Sequence, residues 1–183
     1  MASQLSQSGI DSHTIGLALL RLAPLSVSSA SLMFSWAQDL FISGFVNPKL
    51  ANHPDHLSGK LLPYYMPGVW ITGTTAIFIA YPGTMLLALA NSVGRGAVEN
   101  QLARRLYLAG SVMSIAHFYY GLRSKSLMAA IGSPQDPGVK NENVVRTWLS
   151  MHFRRSLLVN LPAWLCLVSA TAVVLINGLD SKH

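Results

Sequence analysis

Residues 157–176 contain no charged side chain and are almost wholly apolar apart from Asn160. A helix needs about 20 apolar residues to cross a hydrocarbon core. Inside lipid every backbone polar group must be satisfied within the segment itself, so such a run admits a helix and little else. Three further apolar stretches precede it, and together they predict spans at about 25–46, 64–90, 104–123 and 143–177. The expected fold class is all-α: an integral membrane four-helix up-down bundle forming one domain, with both termini on one side.

Composition agrees with that reading. The chain is 51% hydrophobic and 11% charged, against about 25% charged residues in soluble domains. The single cysteine, Cys166, lies in an apolar run, which excludes an intrachain disulfide and a thiolate metal cluster. The formal net charge of +6 is spread over loops. Basic residues that flank apolar segments are normal in membrane proteins, and no basic patch with interleaved aromatics predicts a nucleic-acid partner. The first residues lack a basic stretch followed by a cleavage site, so the first span is expected to act as an uncleaved insertion signal.

Breaks between the segments are legible. Asn47-Pro48 ends the first, and the loop after it holds His53, Asp55 and His56. Pro82 is expected to kink the second span. The third span can continue as a helix to Ile131, and the loop that follows contains Pro134 and Pro137.

Several polar residues then fall at one end of the bundle. Trp148, His152 and Arg155 follow at spacings of four and three, on one helical face. Asp39 lies near the end of the first span, with Ser35 and Trp36 on the same face, and His117 near the end of the third. In an up-down arrangement these ends share a side. At a rise of 1.5 Å per residue, Asp39 is roughly 12 Å below its loop and His152 roughly 15 Å below its own. The matching depths predict a polar pocket in one leaflet half, capped by the loop with His53 and His56. Ionisable groups at such depth face the bundle interior or a cavity and mark function. Asp39 and His152 are the expected acid–base pair, with Arg155 fixing the charge of Asp39 and His117 as a second proton carrier or a water anchor. Trp36, Tyr65, Tyr120, Arg123 and Trp148 are the expected substrate contacts. A structural Asp39–Arg155 ion pair is the plainer alternative. His117, His152 and Asp39 could in principle form a two-histidine, one-carboxylate metal set. No compact HxxxH or ExxH pattern supports it, so neither metal nor cofactor is expected.

The string Trp148-x3-His152-x2-Arg155, followed by Ser156 to Trp164, resembles the final helix of the anthrone oxygenase-like (DUF1772) family of small four-span proteins from fungal secondary-metabolite clusters. In that family the pattern is Trp-x3-Asn-x2-Arg, and His152 stands where the family has Asn. The resemblance implies a hydrophobic polyketide substrate and an internal membrane such as the endoplasmic reticulum. It implies either cofactor-free oxidation of an anthrone or, in similar proteins, opening of a polyketide epoxide. Asp39 and His152 favour epoxide opening, by hydrolysis or ether-ring closure, which needs an acid and a base. The oxygenase is the second expectation and a non-catalytic membrane scaffold the third. The expected partners are the lipid bilayer, the hydrophobic substrate and a second copy of the chain in a homo-oligomer.

Overall fold

Apolar segments of this length, broken only by short polar loops, fold as long antiparallel helices. The computed structural model describes residues 12–55, 57–94, 96–133 and 139–180 and contains no strand among them. Helix α1 (Ser12–Ser43) passes through a single 3-10 turn, Gly44–Val46, into the short α2 (Pro48–Ala51). Asn47 starts α2 by accepting the Lys49 backbone N–H through its side chain, with Pro48 in the first helical position. Helix α3 (Leu57–Ser92) is continuous over Pro63, Pro67 and Pro82. The third helix is α4 (Gln101–Ala116), a 3-10 turn at His117–Tyr120, and α5 (Gly121–Ile131). Asn100 caps it by accepting the N–H of Ala103 at 3.0 Å. The fourth is α6 (Val139–Arg155), a π-helical turn at Ser156–Asn160, and α7 (Leu161–Asp180). His56, Pro134 and Pro137 lie outside the described residues.

Helix α1 packs on α3, α3 on α4, α4 on α7, and α7 returns to α1, which closes a four-membered ring. Among the described residues three helices are long and apolar enough to cross a membrane, at 12–50, 57–92 and 141–178. The third helix does not meet that standard: Arg104 and Arg105 lie in its first turns, and Arg123 and Lys125 on α5. The helices also start earlier than the sequence suggests. Pro24 is inside α1 because the residues before it already pack: Asn91 Nδ2 donates to the Leu20 carbonyl at 2.9 Å, and the Tyr107 hydroxyl donates to that of Arg21 at 2.8 Å.

Two apolar clusters hold the ring together. One joins Ile42, Leu62, Met66, Met128, Ile131, Val145, Trp148 and Met151. The other joins Ala88, Val98, Ala103, Tyr107, Leu167 and Ala170. In the second, α4 and α7 approach closely at Gly110, where an added Cβ would stand 2.7 Å from Leu167 Cδ2. Along every helix the residues between the two clusters include buried polar ones, and those residues build the site.

Candidate functional site

The π-helical turn is the local feature that assembles the site. Pro162 lacks the N–H that would bond the carbonyl four residues back, and its ring crowds that carbonyl. The helix widens immediately before it, at Ser156–Asn160. A regular helix advances about 100° per residue, which would place Asn160 about 80° from His152 and about 140° from Arg155. One extra residue in the turn brings Asn160 back to within about 40° of both. His152, Arg155 and Asn160 therefore all point into the bundle, and each is almost fully buried.

A chain of hydrogen bonds runs through these residues. Arg155 Nη2 donates to His152 Nδ1 at 2.6 Å. A guanidinium only donates, so Nδ1 carries the lone pair and the ring proton is on Nε2. That Nε2–H donates to the carbonyl of Ser35 at 2.8 Å. The Ser35 hydroxyl accepts from Asn160 Nδ2 at 3.2 Å. Asn160 Oδ1 accepts from His117 Nδ1–H at 3.0 Å. The His117 ring stacks on Tyr81 with centroids 3.6 Å apart. Trp148 stacks on the other imidazole, with centroids 4.6 Å apart and planes 15° from parallel, and donates its Nε1–H to Ser124 Oγ at 3.2 Å.

A groove of about 550 Å³ adjoins this relay, within the range of small-molecule sites. Ser29, Leu32, Met33, Ser35, Trp36 and Asp39 of α1 line one wall, and His152, Phe153, Ser156 and Trp164 the other. Met33, Trp36 and Phe153 are largely exposed, so the groove opens on the flank of the bundle. Trp164 ties the walls together by donating Nε1–H to Ser29 Oγ at 2.9 Å.

The expected site residues divide accordingly. Asp39, His152 and Trp36 meet at the groove. Arg155 is held by His152, and no Asp39–Arg155 ion pair occurs among the described residues. The idea that Arg155 sets the charge of Asp39 is corrected here: the short i to i+3 reach to His152 takes the guanidinium. His117 joins the relay through Asn160 and does not line the groove. Trp148 is packed in the core as the stacking partner of His152. Tyr65 is a groove residue elsewhere, between α1 and α3, where its ring lies 5.0 Å from that of Phe45. Tyr120 packs against the first apolar cluster, and Arg123 is exposed on α5. The loop of His53 does not cap the groove: His53 instead faces Asp55 at 3.6 Å, and both are exposed to solvent. Among the described residues no three His, Cys, Asp or Glu side chains converge on a metal position. His152 has both ring nitrogens committed, and Asn160 holds Nδ1 of His117.

Asn160 and Tyr81 belong to the buried network without having been expected in it, and Ser35 was expected only on the face of Asp39. An Asn inside an uncharged span is a visible signal, but its partners depend on the π turn.

The chain matches no family model, and no solved structure matches it. It is 32% identical to "Probable epoxidase scpX" of Mollisia scopiformis, over 83% of this chain and 93% of that protein. It is 30% identical to "Epoxidase pydX" of Acremonium sp, over 84% and 93%. It is 28% identical to "Epoxidase gkaX" of Penicillium citrinum, over 87% and 96%.

Proposed function

The chain belongs to the fungal family of scpX and pydX, and from that premise we propose that it is an epoxidase working within a membrane on a hydrophobic polyketide of secondary metabolism. The reaction is addition of one oxygen atom to a carbon–carbon double bond. The π bond breaks and two C–O bonds form to one atom of dioxygen. The other atom leaves as water, taking two protons and two electrons from a reduced donor of nicotinamide or flavin type. An internal membrane such as the endoplasmic reticulum suits both the chain and such a substrate.

One observation supports the reading beyond the relatives' names. An apolar groove of polyketide size meets a buried imidazole–guanidinium pair at one edge, through His152. The groove binds the alkene and excludes water from it. Arg155 places a fixed positive charge behind His152, which favours negative charge developing on oxygen at that edge. Both His152 nitrogens are engaged, so His152 positions and does not shuttle protons in this state. Asp39 faces the groove with a carboxyl that no side chain among the described residues holds, and it delivers or removes protons there.

The same free carboxyl favours a second reading, opening of an epoxide, in which Asp39 would serve as the acid. One experiment separates them: membranes containing the full chain, a polyene polyketide and an electron donor, incubated under ¹⁸O₂. Epoxidation gives a product with one ¹⁸O atom and measurable oxygen uptake. Label appearing only from H₂¹⁸O, or an isomerised product without oxygen uptake, would overturn epoxidation in favour of opening.

A further inference from the structure

Arg155 is a full positive charge 2% exposed to solvent, and no carboxylate pairs with it among the described residues. Among the described residues it donates to the neutral His152 ring, and its Nε is buried without a partner. Buried charges are ordinarily paired, because removing a charge from water without compensation is costly. The missing counter-charge has a place to go. Beside Arg155, between α1, α3, α5 and α6, is a separate small cavity of about 20 Å³ that shares no lining residue with the substrate groove. Gln38, Thr74, Ser124, Trp148 and Arg155 line it, with apolar side chains around them and no carboxylate.

The lining can surround a small species with donors. Arg155 can only donate. Ser124 Oγ already accepts from Trp148, which leaves its hydroxyl proton to donate elsewhere. The Gln38 amide and the Thr74 hydroxyl can each donate or accept. A water molecule could bridge such groups but would leave the guanidinium without a counter-charge, which an anion supplies. Room for about one small species, several polar side chains able to donate and a buried guanidinium without a carboxylate coincide here. We infer that this cavity is a binding site for one small inorganic monovalent anion taken up from solution, which supplies the counter-charge of Arg155. The site is distinct from the substrate groove and does not depend on the reaction proposed above.

The test uses the full-length chain in lipid nanodiscs, with sodium bromide as the probe and sodium gluconate, too large for the cavity, at equal ionic strength as the reference. Ligand that binds only the folded state raises the unfolding midpoint in a saturable way. The expected result is a rise of several degrees in bromide over gluconate that saturates with concentration. Thr74→Met, which fills the cavity without touching Arg155, should keep its midpoint in gluconate and lose the bromide shift. Arg155→Gln should lose the shift as well. Equal midpoints in the two salts for the unmodified protein would overturn the assignment in favour of water. So would an undiminished bromide shift in Thr74→Met.

Discussion

Arg155 Nη2 reaches His152 Nδ1 across 2.6 Å and thereby fixes the imidazole as its neutral Nε2–H form, aimed at the Ser35 carbonyl. The contact makes His152 the acceptor for a buried cation as well as a wall of the groove.

The first prediction concerns that double duty. His152→Leu takes away the side-chain acceptor of the guanidinium and should cost about 1–3 kcal/mol of stability. His152→Asn keeps a side-chain oxygen at the same helical position and should recover part of that loss. Unfolding midpoints of both variants in detergent check the order; a more stable Leu variant would remove the pairing as the reason for His152.

Asn160→Leu should be destabilising through two groups at once. His117 Nδ1–H and the Ser35 hydroxyl each lose their partner, at about 1–3 kcal/mol for a buried group left unsatisfied. Adding Ser35→Ala to it should cost little more, because the two changes share one network. Chemical denaturation of the single and double variants measures the coupling.

Asp39→Asn should lower turnover by about 100-fold or more, the ordinary scale for an acid–base group, and leave the amount of folded protein unchanged. Asp39 is half-buried and holds no side-chain partner among the described residues, so packing is not at stake. Full activity in this variant would sink its role in the groove.

Trp36→Ala should raise KM more than it lowers kcat, with the unfolding midpoint held. The side chain is 67% exposed and lines the groove, so it contributes to binding and little to the core. A large fall in stability would place Trp36 in the fold instead.

Gly110→Ala should cost about 1–3 kcal/mol, because the new methyl group meets Leu167. Combining it with Leu167→Ala should give less than the sum of the two single losses, since the smaller side chain makes room. Thermal unfolding of the three variants decides it.

The helical layout was legible because apolar runs and Asn-Pro or Gly-rich breaks are strong local signals. Trp148, His152 and Arg155 share a face by simple spacing, and they do face inward. The partners were not legible. Asn160 reads as misaligned with Arg155 on a regular helix, and only the widened turn before Pro162 brings it round. Asp39 looked like the natural counter-charge for Arg155, yet a histidine three residues away on the same helix reaches the guanidinium first. Tyr81, 36 residues before His117 in the chain, gives no local sign that it will stack on His117.

The flank opening of the groove has a kinetic meaning. In the proposed membrane setting, a molecule entering between Trp36 and Phe153 would come from among the acyl chains and not from solution. Its effective concentration is then a mole fraction of the lipid. Diluting the same protein and substrate with empty vesicles should slow the reaction, although nothing has changed per litre.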